Sequence, residues 1–459
     1  MLETRDRLAR ASLVAGEWRF DDSLALDPLA AAFADAVQTA ALRLHWTAAL
    51  GRHAVAARDL ERGELVMMAP AAAMVATADS SWSAAAVAAI PGAAEVGLDA
   101  DVLALARAVL ESGRHERVGH ALLSHREHVA PGHLALWHQA ARVLCVVLPP
   151  ARAAEEDAVV ELLLAIKANA HRVLDSDTAS RAVGLGLFPA ACMLNHACVP
   201  AAVLHFRDGG RMLHARTLVA LPAGSAVTYS YLAEEHLCSP YAERARLLLA
   251  AHHFSPARSP QLEAVETQPE ADRAAVEALA RRVRAAAQRV EAAEAEGDAD
   301  DLRAATERLR ELVHGGDGRA AAAGPAPAGG VAALVEPGHW LLHDSGAALL
   351  AAARALDDAG LIARSALQLA QCREAALPRG TPHLATLYAA HAGALSRLLK
   401  AGRVPPPARA DAAAQVAAAL TAAARIRTTC LGPDHPLTLS TLAAAGRATT
   451  RTDASRPGG

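Results

Sequence analysis

Apolar residues recur at intervals of three and four along most of the chain, the spacing of a buried helix face. Residues 1–44 are rich in Ala and Leu with scattered charges and predict one or two helices. The texture changes at Leu50. LGRHAVAARDLERGELVMMAPAAAMVA places Gly51 and Gly63 at turns and predicts two short strands, through Val55 and through LVMM, joined at residues 61–63. Residues 83–165 return to helical spacing in VLALARAVLESG and AVVELLLAIKANA, broken at Pro149 and Pro150. Residues 166–232 are the most strand-like part. AVLHF, the turn Asp208-Gly209-Gly210, RMLHARTLVAL, Pro222-Ala223-Gly224 and AVTYSYL predict three short strands at hairpin spacing. Strand material on both sides of a helical insert predicts one β-rich domain whose sheets draw on distant segments.

Beyond Phe254 the β texture stops. EADRAAVEALARRVRAAAQRVEAAEAE and LRAATERLRELV, separated by GDADD, predict two charged helices with Glu and Arg three and four apart. Residues 315–330 are a low-complexity linker. Residues 339–450 are helical again, with Gly360 and Gly402 at turns. GTPHL and GPDHPL follow comparable helices, which suggests an imperfect repeat of tetratricopeptide type, interrupted by the Pro-rich residues 404–411. The expected division is a helical segment 1–44, a domain 45–254 with strand segments 45–76 and 166–254 around the insert 83–165, and a helical domain 255–459.

Composition narrows the function classes. The 459 residues carry 45 basic and 49 acidic side chains, a net charge of −4, without the polybasic block of a general nucleic-acid binder. Aromatics are 3% of the chain, because Ala alone supplies roughly a quarter of it. Ala is tolerated on either face of a helix, so it blurs periodicity. Six cysteines lie scattered without a CxxC pair, which argues against a zinc ribbon or a disulfide-stapled fold and for a reduced compartment, cytoplasmic or nuclear. The opening MLETRDRLAR has no apolar signal core, and no run of 18 residues is apolar and uncharged, so neither a secretory signal nor a membrane span is expected.

Candidate chemistry concentrates in residues 184–254. NHACVP at 195–200 is followed by AGSAVTYSYL and then ERARLLLAAHHF. In this order the motifs resemble SET-domain protein lysine methyltransferases, in particular the SET- and MYND-domain group. NHACVP matches that family's Asn-His-x-Cys-x-Pro, and AGSAVTYSYL its Gly-x-x-(apolar)-Thr-x-x-Tyr strand. GRHAVAARDLERGELV is similar to the domain's opening stretch, and KANAHRV to a strand before the Asn-His motif. The resemblance implies an α+β SET domain followed by a tetratricopeptide-like array. It implies S-adenosyl-L-methionine as cofactor and a lysine-bearing protein or peptide, histone or other, as substrate. It places Tyr231 at the methyl-transfer centre, and Asn195, His196, Asn169, Gly51, Arg52 and Phe254 about the cofactor. Tyr229, two residues before Tyr231 on one strand face, and His252 are expected to line the lysine channel. The insert and the C-terminal array are expected to offer a peptide groove or a surface for partner proteins.

Such chemistry needs alignment of an amine, a methyl carbon and a departing sulfur rather than a metal or a nucleophilic side chain. The chain departs from the family pattern in several places. Gly51-Arg52-His53 stands for Gly-x-Gly, Ala201 for an Asn, and His252 for an aromatic. No cysteine precedes Cys145, so the MYND zinc module is absent, and the cysteines that follow the domain in relatives are missing. No metal is therefore expected by the family route. Six histidines between His115 and His138 predict a solvated or partner-facing helix surface, and GLGLFP lacks the third glycine of a dinucleotide loop. The rival expectation is an inactive SET-fold scaffold that binds partners through its helical array.

Overall fold

The structure, a computed structural model, describes residues 12–14, 17–19, 33–47, 50–77, 81–113, 122–149, 154–178, 181–259, 262–263, 270–315, 330–377 and 380–454. Most of segment 1–44, His115, His120 and nearly all of the linker 315–330 lie outside these residues. The fold mixes α and β and divides into two compact units, Met1–Tyr231 with Leu248–Ser255, and Leu232–Leu247 with Pro256–Gly459.

The first unit holds the strands: β1 (Ser12–Val14), β2 (Glu17–Arg19), β3 (Leu42–Thr47), β4 (Gly51–Ala56), β5 (Leu65–Pro70), β6 (Ala73–Ala76), β7 (His171–Leu174), β8 (Ala182–Leu187), β9 (Asn195–His196), β10 (Ala202–Arg207), β11 (Met212–Thr217) and β12 (Thr228–Tyr229). The described part of residues 1–44 is mixed: residues 33–36 are helical as expected, whereas β1, β2 and the start of β3 are strands where helix was expected. Ala41 and Leu42 are buried in the core, and β3 gains its ladder from β4, a tertiary partner that outweighs local helix propensity.

The strands predicted on either side of residues 61–63 exist, but they do not pair with each other. β4 pairs with β3, and β5 pairs with β11. Thr217 explains the arrangement. It is fully buried at the end of β11; its hydroxyl donates to the carbonyl of Glu61 and accepts from the amide of Glu64 at 3.0 Å. The turn is thereby tied to a strand 150 residues away rather than closing a hairpin. The DGG hairpin is present: β10 and β11 are antiparallel with Arg207 opposite Met212, and Asp208, Gly209 and Gly210 all have positive φ. Burial alternates along β11, with Leu213, Ala215 and Thr217 inward. The third predicted strand does not join this sheet. Instead Ala226 bridges antiparallel to Val55 of β4, and Thr228–Tyr229 pairs in parallel with β9.

β8 is the centre of a second sheet, order β6-β8-β7. Its glycines are steric. A Cβ on Gly184 would stand 2.1 Å from the carbonyl oxygen of Val75, and one on Gly186 would stand 2.7 Å from the ring of Phe188.

Between β6 and β7 lie α1 (Ser81–Ala88), α2 (Ala100–Glu111), α3 (Pro131–Val147) and α4 (Glu156–Asn169). Asp99 caps α2 by accepting from the amide of Val102 at 2.8 Å. α2 turns Leu103, Leu105, Val109 and Leu110 into the core, α3 adds Trp137 and Leu144, and α4 adds Leu162, Leu163 and Ile166. These meet Val66, Met67, Leu187 and Phe188 from the sheets. α4 runs to Asn169, so residues 166–169 are helical rather than the start of the strand segment.

α5 (Tyr241–His252) leads from the second unit's segment back into the first. In the second unit follow α6 (Glu270–Glu296), α7 (Ala299–His314), α8 (Trp340–Ala355), α9 (Ala359–Ala376), α10 (Pro382–Lys400), α11 (Arg409–Leu431) and α12 (Pro436–Ala454). The predicted pair of charged helices is present as α6 and α7, with Asp298 capping the second. From α8 onward each helix packs on the next. Arg373 of α9 is buried. It donates to the carbonyl of Glu234 at 2.9 Å, lies 3.6 Å from that residue's carboxylate, and meets Nε2 of His343 at 3.2 Å. None of the described helices is long and apolar enough to cross a membrane.

Candidate active site

The parallel pairing of β9 with β12 sets Asn195 opposite Thr228 and His196 opposite Tyr229. The amides of Ala197 and Ala201 then bond to the carbonyls of Tyr229 and Thr228 at 2.9 and 3.0 Å, so the NHACVP segment is clasped to β12, which ends two residues before Tyr231. Ala201 acts there through its backbone and is buried.

His196 is held from both ring nitrogens. Nδ1 accepts from the amide of Tyr231 at 3.0 Å, which leaves the hydrogen of the neutral ring on Nε2, 3.2 Å from Sγ of Cys198. The Asn195 side-chain amide donates to the carbonyl of Leu50 at 3.0 Å, bringing residues 50–52 to the Asn-His pair across 145 positions of sequence. Gly51 has φ +62, and a Cβ there would meet nothing within 4 Å, so the backbone borders open space. Arg52 lies next on β4, opposite Trp46. His53, at the third position of the expected glycine pattern, is buried. Its Nδ1 sits 2.9 Å from the carbonyl of Gly51, and its ring packs edge-on against His45.

Tyr231 stands at the centre of an aromatic cluster. Its ring centroid is 4.8 Å from His252, 4.9 Å from Tyr229, 5.4 Å from His196 and 6.1 Å from Phe254. Its hydroxyl donates to the carbonyl of Leu194 at 3.1 Å, which fixes the hydrogen and leaves the oxygen lone pairs as acceptors. Burial raises Tyr231 and Tyr229 above the usual tyrosine range, so both stay neutral phenols at physiological pH. Burial lowers His252 to about 4, assisted by the nearby His125, and it is uncharged at neutral pH.

Asn169 does not take the place expected of it. It ends α4 instead of lying in a strand, and its amide group donates to the carbonyls of Leu123 and Ala165 at 2.9 and 2.8 Å. Both N–H bonds are thus spent on the protein, and Asn169 supports the wall of the site instead of offering a donor. Tyr229 shares the face of Tyr231, but its hydroxyl is committed to Nε2 of His171 at 3.1 Å, with the two rings stacked at 5.9 Å.

His171, inside KANAHRV, carried no role of its own in the sequence, and no His/Asp arrangement marked Cys192 as a nucleophile. Burial lowers His171 to about 4 and raises the Cys192 thiol to about 12, which makes the thiol inert as a nucleophile. Cys192 donates to the carbonyls of Phe188 and Asn169, and its only signal in the sequence was proximity to the Asn-His motif. A separate cleft of about 210 Å³ lies beside this cluster, lined by Lys167, Ala168, Ala250, Ala251 and His253 together with Trp137, His128 and His133.

No family model matches the chain. Among curated proteins it is 32% identical over 113 residues to histone-lysine N-methyltransferase ASHR1 of Arabidopsis thaliana. The similarity is to a lysine methyltransferase. The match covers 24% of this chain and 22% of the relative, so the chain spans about a fifth of that protein's length. Among solved structures, the SET domain of LSMT bound to lysine and AdoHcy aligns over 94% of this chain and 93% of its own, at 12% identity and a TM-score of 0.32. At that TM-score the alignment bears on neither the fold nor the site.

Proposed function

We propose that the protein is a protein-lysine N-methyltransferase of SET type that uses S-adenosyl-L-methionine, a SMYD-like protein without the MYND finger. The observation that carries this reading is the pairing of Asn195–His196 with Thr228–Tyr229, which gathers Asn195, His196, Tyr231, His252 and Phe254 into one cluster. The partial identity to a histone-lysine methyltransferase agrees with it. A tetratricopeptide-like role for α8–α12 in holding the protein substrate or partner proteins completes the proposal. Described thiols that form no disulfide fit a cytoplasmic or nuclear setting.

The residues present fit the cofactor. Gly51 leaves room where a side chain would intrude. The bond from Asn195 to Leu50 uses only one of the hydrogen-bonding positions of its amide. Phe254, 5.8 Å from His196, offers an apolar wall. The bound cofactor supplies an electrophilic methyl group on a sulfonium. Tyr231 presents a neutral oxygen, oriented by its own bond to Leu194, toward which electron-poor C–H bonds are attracted. His252 borders the same ring as an uncharged wall, and among the described residues no carboxylate shifts the titration of Tyr231 or His252. An arriving lysine, with a free pKa of about 10.4, therefore finds its ammonium form disfavoured by burial and its neutral amine favoured.

The test is calorimetric titration of the purified chain with S-adenosyl-L-methionine, repeated on Asn195→Ala. Micromolar binding that weakens at least tenfold in the variant is expected. A folded chain that does not bind the cofactor overturns the proposal and leaves a scaffold acting through its helices.

A further inference from the structure

Three histidines and a glutamate meet at the rim of the cleft. His125, Glu127 and His128 come from the segment before α3, and His253 from the turn after α5. The imidazole centroids form a near-equilateral triangle: 6.1 Å from His125 to His128, 6.0 Å from His125 to His253, and 5.6 Å from His128 to His253. Ligand atoms of His125, Glu127 and His128 all lie within 4.8 Å of one another, and the Glu127 carboxylate is 3.8 Å from Nε2 of His128.

We propose that His125, His128, His253 and Glu127 form a binding site for a divalent transition-metal ion, zinc above all. Around tetrahedral zinc with Zn–N near 2.0–2.1 Å, donor atoms sit roughly 3.4 Å apart and imidazole centroids roughly 5.2 Å apart. The centroid triangle is within about 1 Å of that size. Glu127 and His128 are exposed and can rotate toward the ion, while the half-buried His125 and His253 must draw together by about 0.8 Å. An imidazole-rich set with one carboxylate suits zinc, while calcium and magnesium favour oxygen ligands.

The backbone agrees with a purpose for these rings. His125 and His253 both hold left-handed conformations, φ 54 and φ 60, a region that His, Asn and Asp enter more often than other non-glycine residues. Their rings lie 6.0 Å apart, centroid to centroid. The opposing charge is Lys167. It is itself lowered by burial, and its Nζ lies over the ring of Trp137 at 5.6 Å. A bound ion would staple the segment around residue 125 to the turn that carries His252 and Phe254, and so fix one wall of the Tyr231 cluster. The site stands on these ligands alone, whether or not the methyltransferase proposal holds.

The experiment is calorimetric titration of chelator-treated, tag-free protein with zinc chloride, on the parent chain and on His128→Ala and His253→Ala. One tight equivalent is expected, weakened at least a hundredfold in each variant. Cobalt(II) added in place of zinc should give the intense visible bands of a tetrahedral site. His128 is exposed, so its variant folds even if His253→Ala does not. Absence of a saturable equivalent, or binding unchanged in His128→Ala, overturns the assignment.

Discussion

Replacing Gly184 by Ala tests the most demanding close approach in the first unit. The added Cβ would stand 2.1 Å from the Val75 carbonyl oxygen and 3.2 Å from Cα of Ala76, and neither atom belongs to a flexible side chain. To reach an ordinary contact, β6 must retreat from β8 by about 1 Å, in a pairing only four residues long, from Ala73 opposite Leu187 to Ala76 opposite Gly184. Losing two ladder bonds at about 1 kcal/mol each, with some strain in the repacked core, gives a cost of about 3 kcal/mol. Gly224 is the control. Its φ is +84, and a Cβ there meets nothing within 4 Å, so Gly224→Ala carries only left-handed strain of about 1 kcal/mol. The chain has two units, so a single unfolding curve would mix them. In a Trp340→Phe background every remaining tryptophan lies in the first unit, and urea unfolding followed by tryptophan fluorescence reports that unit. Equal midpoints for the two alanine variants would refute the steric argument.

Further expectations concern the site and the second unit. Tyr231→Phe removes the bond to Leu194, costing about 1 kcal/mol of stability; methyl transfer to a protein acceptor should fall on the order of 100-fold while cofactor affinity changes little. Retained activity, followed with a labelled methyl group, would exclude a role in the reaction. Buried His171 and His252, each lowered from 6.5 to about 4, resist protonation in the fold but accept it when unfolded. Their contribution is complete above pH 6.5 and is lost as pH falls toward 4, at about 1.4 kcal/mol per pH unit for each histidine. A urea midpoint of the first unit that stays flat from pH 7 to 5 would contradict this. In the second unit, Arg373→Met leaves the Glu234 carbonyl and carboxylate without their buried guanidinium. A loss of about 3 kcal/mol is expected, read from Trp340 fluorescence, and an unchanged midpoint would show the ion pair to be dispensable.

The sequence by itself determined the elements whose signals are local. The DGG turn carries residues able to adopt positive φ, and it closes the β10–β11 hairpin as predicted. GDADD carries its own cap at Asp298 and separates α6 from α7. The order of NHACVP and TYSYL pointed to Asn195, His196 and Tyr231, and these come together because a short parallel pairing joins the two motifs.

Tertiary structure decided the rest, because pairing energy depends on partners that no local window contains. The first half of β3, Leu42–Leu44, falls at the end of an Ala-rich stretch that reads as helix, and it becomes strand through its ladder with β4. β5 left its predicted hairpin because buried Thr217 captures the intervening turn. Asn169 was placed by its neighbours in sequence, yet α4 extends through it and turns its amide toward Leu123 and Ala165. His171 lies inside KANAHRV, yet its role rests on a hydroxyl 58 residues away. The histidines of the rim read as a solvated surface while their spacing was judged along one segment. His253 joins them from 125 positions beyond His128, and only the folded backbone brings its ring within 5.6 Å of His128.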